Sequence, residues 1–218
     1  MRILLGLIAA CLFLPASALA STPGAAAFEI FMNGKPVGRH SVTVARDGAD
    51  ARADVRIDMA GRVGPFSFTY AHRCTESWRG GELASLACED REGRKVRTLR
   101  AQRTAEGLAL RANDGAQTLL SGAPLLPSSW WRVETAQAAR LIDTRNGKVL
   151  PVRVRKVGVE SVKTPDGIVN ATRYQLDGST RADLWYDSDG RWVKLAFRLR
   201  GQNFEYRLAT PVANLPKA

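Results

Sequence analysis

The strongest pattern along the chain is a period of two. From Arg191 to Arg200, Val193, Leu195, Phe197 and Leu199 fall on one face, and Trp192, Lys194, Ala196, Arg198 and Arg200 on the other. That is the alternation of a half-buried strand. Ala53, Val55, Ile57 and Met59 oppose Arg52, Asp54, Arg56 and Asp58 in the same way, as do Phe204, Tyr206 and Leu208 against Asn203, Glu205 and Arg207. Carried along the chain, the rule predicts strands over 27–32, 37–46, 51–60, 65–79, 82–90, 94–103, 107–112, 116–121, 139–144, 149–157, 159–164, 168–176, 182–187, 191–200 and 203–209. Between them stand Asn33-Gly34, Gly80-Gly81, Asn146-Gly147, Asp166-Gly167, Asp177-Gly178 and Asp189-Gly190. Such pairs accept the positive φ of tight hairpin turns, so the chain reads as an antiparallel meander.

One interval departs from this period. Pro127-Ser128-Ser129 suits the start of a helix, and Trp130 to Gln137 can continue one, which predicts a single short helix near 128–138. Strand twist accumulates across a sheet of this many strands and makes it curl. The predicted fold is therefore mainly β: a strongly curved antiparallel sheet or open β-barrel, with the short helix covering its concave side or one end.

The amino terminus adds a compartment. Arg2, the apolar run Ile3 to Leu14 and the small-residue site Ala18-Leu19-Ala20 have the form of a secretory signal peptide cleaved before Ser21. Residues 1–20 are thus expected to be a leader, residues 21–218 a single β-rich domain, and the protein periplasmic. Pro15 and Ser17 interrupt the apolar run, so no transmembrane span is expected in the mature chain. Lys plus Arg number 32 against 21 Asp plus Glu, a formal charge of +11 that falls by one when Arg2 leaves with the leader. In an exported protein this excess favours an anionic envelope surface over nucleic acid. A solvated polar face also accounts for cations spread along strand-like segments.

The chemistry-bearing residues are few. There is no G-x-S-x-G elbow, phosphate-cradling loop or dinucleotide fingerprint, and Asp187-Ser188-Asp189-Gly190 lacks the later acidic ligand of a calcium loop. No catalytic residue, cofactor or metal site is assigned. Cys74 and Cys88 flank Gly80-Gly81 on one predicted hairpin. A turn centred on Gly81 sets them opposite each other, which predicts a disulfide in an oxidising compartment. His40 shares a face with Val42 and Val44; His72 shares one with Phe66, Phe68, Tyr70, Cys74, Glu76 and Trp78. If their strands are close, His40, His72 and Glu76 form a polar cluster suited to a general base or a weak metal site, although hydrogen-bonded core histidines explain the same parity. Trp130-Trp131 would line or anchor the opening of the curved sheet, with core packing the plainer alternative. Trp130, Trp131, His40, His72, Tyr70, Glu76 and Trp78 are the candidate ligand-binding residues.

The segments Asn33-Gly34-Lys35-Pro36-Val37-Gly38-Arg39-His40, Thr75-Glu76-Ser77-Trp78-Arg79-Gly80-Gly81, Leu141-Ile142-Asp143-Thr144-Arg145-Asn146-Gly147, Ala182-Asp183-Leu184-Trp185-Tyr186-Asp187 and Gly190-Arg191-Trp192-Val193 resemble a bacterial exported family of unknown function, domain-of-unknown-function family 6134. The resemblance implies an exported β-rich protein and carries no catalytic residues. At the level of fold, the arrangement is also distantly similar to periplasmic half-barrel lipoprotein carriers. The leading expectation is a non-enzymatic protein that shelters an apolar or amphipathic envelope ligand, such as a lipid. The alternatives are an envelope protein-interaction or assembly module and, third, a hydrolase or metal enzyme using His40, His72 and Glu76.

Overall fold

The computed structural model describes residues 23–122, 125–178 and 181–216. The leader expected at 1–20 and its cleavage site lie outside them. Sixteen strands follow in chain order: β1 (Gly24–Met32), β2 (Lys35–Asp47), β3 (Asp50–Val63), β4 (Phe66–Arg79), β5 (Glu82–Glu92), β6 (Lys95–Arg103), β7 (Leu108–Ala112), β8 (Thr118–Leu120), β9 (Leu126–Pro127), β10 (Arg140–Ile142), β11 (Val149–Pro151), β12 (Arg153–Thr164), β13 (Gly167–Asp177), β14 (Ala182–Asp187), β15 (Trp192–Leu199) and β16 (Gln202–Leu208). Thirteen form one sheet in the order β12-β13-β14-β15-β16-β1-β2-β3-β4-β5-β6-β7-β8, and β11-β10-β9 form a small second sheet. The chain's two ends meet through β1 and β16, which pair antiparallel. The large sheet is not closed, since β12 and β8 end the order.

The period of two explains the inner face. Phe28 and Ile30 on β1, Val42 and Val44 on β2, Ala53 and Val55 on β3, and Leu195 and Tyr206 on β15 and β16 are all buried, while their sequence neighbours face water. The segment from β9 to β11 folds over this concave side, and we refer to it as the lid. Leu141 on β10 is 1% exposed.

The lid departs from the sequence reading. In place of a helix near 128–138 there is a 3₁₀ turn, Val133–Gln137, whose N-cap residue Arg132 makes no side-chain capping bond. Ser128 caps nothing: its backbone N–H donates to the Ile142 carbonyl at 2.9 Å. Trp130 stands at φ +69°, a left-handed conformation that cannot lie inside an α-helix. The predicted break between 157 and 159 is also absent. A bulge between Lys156 and Gly158 lets β12 run on against β13.

Two further bulges position the inner face. Ile30 pairs Gly38 but Phe31 pairs Pro36, which leaves Val37 as the extra residue, buried although it is three positions from the buried His40. At Gly38 the strands crowd: a Cβ there would sit 2.0 Å from the Asp58 carbonyl oxygen and 2.7 Å from the Met59 Cα. Both obstacles are backbone atoms and cannot swing away. Gly38→Ala is expected to lower stability by about 1–3 kcal/mol or more, read as a shift in urea midpoint; an unchanged midpoint contradicts the crowding.

The second bulge decides the cysteines. Gly80 and Gly81, at φ +56° and +85°, make a two-residue turn with Arg79 opposite Glu82. On that register Cys74 would oppose Ala87. An irregularity between Ser77 and Trp78 leaves Ala84 without a partner, and Cys74 comes to oppose Cys88. Their Sγ atoms lie 2.02 Å apart, bonded as the expected disulfide. A two-residue turn plus one bulged residue thus gives the pairing expected from an odd-length turn centred on Gly81.

Candidate functional site

Between the large sheet and the lid is a cavity of about 660 Å³. Its walls are largely apolar, with Ile57 and Met59 from β3, Phe68 from β4, Phe197 from β15 and Phe204 from β16. The lid adds Leu141, Leu150 and Trp130. One stretch of wall is polar: Tyr70, His72, Asp90, Arg97 and, from the lid, Asp143 and Arg145.

The polar wall is a chain of contacts running inward. Arg200 Nη1 lies 3.5 Å from Glu92 Oε1, Arg97 Nη2 lies 3.4 Å from Glu92 Oε2, and Arg97 Nη1 donates to Asp90 Oδ1 at 2.8 Å. Asp90 Oδ2 faces His72 Nδ1 at 3.5 Å. On the other side of the ring, His72 Nε2 lies 3.1 Å from Cys74 Sγ. Burial opposes ionisation of Asp90, but His72, Tyr70 and Arg97 beside it hold its carboxyl below the ordinary value. Burial and the nearby Asp90 carboxylate push the Tyr70 phenol well above its usual range. Arg200 and Glu92 sit on hairpins separated in the sheet by β1, β2, β3 and β4, so their contact spans the concavity.

The lid contributes its own knot. Asp143 accepts bonds from the Arg145 backbone N–H at 3.0 Å, Arg145 Nε at 2.9 Å, Arg145 Nη2 at 2.8 Å and Asn146 Nδ2 at 3.0 Å. Burial works against the Asp143 carboxylate, yet these donors hold its pKa below the ordinary value. They also shape the loop at 143–147 against the cavity.

The candidate residues divide into two places. His40, His72, Tyr70 and Trp130 line the cavity. Register sets the first two: His40 pairs Ile57, and Ile57 pairs His72, so the imidazoles face inward two strands apart, about 10 Å. His40 is 1% exposed, with ring neighbours Trp192 at 5.1 Å and Tyr206 at 5.6 Å between centroids. Neither of its ring nitrogens has a hydrogen-bond partner among the described residues. Burial, and secondarily the charge of His72, lowers its pKa from 6.5 to about 3.

Glu76, Trp78 and Trp131 are elsewhere. Glu76 stands four residues along β4 from His72, roughly 13 Å away. Its Oε2 accepts a bond from the Trp78 indole at 3.0 Å and one from the Trp131 indole at 2.9 Å. The two indoles meet edge to face at 5.9 Å, and the Arg132 guanidinium lies 4.2 Å from the Trp78 ring centre. Burial, the largest influence, raises the Glu76 pKa against the opposing bonds from Ser129, Trp131 and Trp78. This knot anchors the lid to the sheet. His40, His72 and Glu76 thus do not share one site, because the carboxylate is drawn to the indoles.

His72 with Cys74 and Cys88 is a group whose ligand atoms lie within 4.8 Å of one another, but both sulfurs are spent in the disulfide. Asp90, Arg97, Asp143 and Arg145 are cavity residues absent from the sequence candidates. Asp90 carried a signal: it shares the inward parity of Leu86 and Cys88.

No helix among the described residues is long and apolar enough to cross a membrane. No curated protein matches the chain. Among solved structures, the chain is similar to a protein from Brucella abortus described as a beta-barrel-like protein of domain of unknown function DUF1849. The TM-score is 0.66 at 9% identity, over 88% of this chain and 98% of that one. At that identity the likeness concerns the fold alone. The model of the domain of unknown function DUF6134 matches residues 28–209, and this chain belongs to that family.

Proposed function

We propose that the protein holds a single-chain amphipathic ligand, such as a lipid of the cell envelope, in the cavity under the lid. The observation that carries this reading is the cavity itself: about 660 Å³ with apolar walls and one polar stretch. Cavities of roughly 300–1,000 Å³ with a few convergent polar groups are the usual form of small-ligand sites. At roughly 30 Å³ per water-sized group, the space holds about 20 non-hydrogen atoms. A space of that order suits an acyl chain with a small head. The chain would lie along Ile57, Met59, Phe68, Phe197 and Phe204, and the head beside Arg97, His72 and Arg145.

Native mass spectrometry of protein taken from its own periplasm without detergent is expected to show an added mass, which extraction identifies as a single-chain amphiphile. Ile57→Trp, which fills the cavity from β3, is expected to remove that mass and to weaken binding of a fluorescent fatty acid about tenfold or more. A ligand-free protein that also fails to bind the fluorescent fatty acid would sink the proposal. The second reading, an envelope interaction module, rests on β12. It is an edge strand with Val157 39% and Val159 65% exposed. A stoichiometric protein partner co-purifying in place of any lipid favours it.

A further inference from the structure

The antiparallel order sends alternate hairpins to opposite ends of the half-barrel. The β1–β2, β3–β4, β5–β6, β7–β8, β13–β14 and β15–β16 hairpins therefore share one end. Cavity-lining residues reach these tips, among them Val63, Phe66, Glu92, Leu199, Arg200 and Gln202, so the cavity opens at this end.

Two properties of the rim set it apart. The first is exposed apolar surface: Phe66 is 76% exposed, Val63 40% and Leu199 38%, and all three stand where no packing requires them. The second is charge. Lys35, Arg62, Arg94, Lys95, Arg198 and Arg200 stand at this end against the acids Glu92 and Asp114, with Asp177 and Arg181 paired to each other. Arg200 meets Glu92; the other five cations have no acidic partner among the described residues. The opposite end has the reverse balance. Its hairpins carry Asp47, Asp50, Glu82, Glu106, Asp166, Asp187 and Asp189 against Arg46, Arg79, Arg103, Lys163 and Arg191. The molecule is thus electrically polarised along the axis of its cavity, with positive charge around the opening.

We propose that this rim docks on an anionic lipid bilayer, with Phe66 inserted at the headgroup level and the surrounding cations on lipid phosphates. The inference rests on the cavity reading above and assigns the place where the ligand is exchanged. A bilayer suits the pattern because separated tips that pair one aromatic ring with unpaired cations match an interface that is apolar below and negative above. Docked this way, the cavity opens onto the membrane, and an acyl chain passes between the two without crossing water.

The test is co-sedimentation of the purified protein with vesicles of phosphatidylcholine alone and with vesicles containing phosphatidylglycerol. Binding is expected only to the second, and to weaken as salt is added. Phe66→Asp and the pair Arg62→Glu with Lys95→Glu are each expected to lower it about tenfold or more. Arg79→Glu, at the far end, is expected to leave it unchanged. These positions are exposed, so thermal melting of the variants should match the parent. Absence of binding to anionic vesicles, equal binding to both vesicles, wild-type binding by Phe66→Asp, or equal loss in Arg79→Glu would each overturn the proposal. So would a protein partner that covers Phe66 in place of a bilayer. The fluorescent fatty acid separates this result from the cavity reading. The Arg62→Glu with Lys95→Glu pair, outside the cavity lining, should still bind it in solution, and Ile57→Trp should lose it yet still bind vesicles.

Discussion

The Glu76→Ala protein is expected to unfold at much lower urea concentration than the parent. The substitution removes the single oxygen that accepts both the Trp78 and Trp131 indoles and leaves two buried donors unpaired. Each orphaned donor costs roughly 1–3 kcal/mol, which puts the loss at about 2–6 kcal/mol. Glu76→Gln keeps an acceptor oxygen and should lose less than half as much. The two substitutions also separate hydrogen bonding from charge. Burial raises the folded-state pKa of Glu76 above its ordinary 4.5, so its protonated form is the one the fold favours. That contribution is fully present below pH 4.5 and is lost as pH rises through the raised folded value. Relative to Glu76→Gln, the parent should therefore gain stability as pH is lowered from 7 toward 4.5. A Glu76→Ala midpoint equal to that of the parent would show that the lid is held by something else.

His40 acts in the opposite sense. Its folded pKa of about 3 lies below the ordinary 6.5, so the fold favours the neutral ring while the unfolded chain takes up a proton. Its stability contribution is complete above pH 6.5 and is lost as pH falls toward 3, at about 1.4 kcal/mol per pH unit. Over two units the loss is on the order of 3 kcal/mol. His40→Phe keeps a ring against Trp192 and Tyr206 and has room to extend toward the cavity. Relative to His40→Phe, the parent should therefore lose stability as pH falls from 6.5 to 4.5, read as a falling difference in urea midpoint. If both proteins decline in parallel, His40 is not the group being titrated.

The two residues show what the sequence can and cannot disclose. That His40 and Glu76 point inward follows from alternation along β2 and β4, and most of the large sheet is legible in the same way, β12 with its bulge excepted. What each residue meets is not legible. The partner of Glu76 is Trp131, 55 positions away, on a lid whose strands are two or three residues long and too short to show a period. The Pro-Ser-Ser segment suggested a helix because its residues suit a cap. Pairing of Ser128 with Ile142 and the left-handed Trp130 override that local preference. Asp143 and Arg145 are hidden for a related reason: they stand at the end of the predicted strand 139–144 and just after it, and only the fold of the lid brings them to the cavity.

The unpaired Ala84 has a reach well beyond its own surroundings. Each residue of strand length reverses which way all later side chains face until the next irregularity. One additional residue in β5 thus sends Cys88 and Asp90 to the interior together. Through the β5–β6 ladder, where Asp90 pairs Arg97 and Cys88 pairs Leu99, it also fixes what the following strand presents. The cavity's polarity is in this sense encoded by spacing: a small side chain that touches neither His72 nor Arg97 determines whether a carboxylate stands between them.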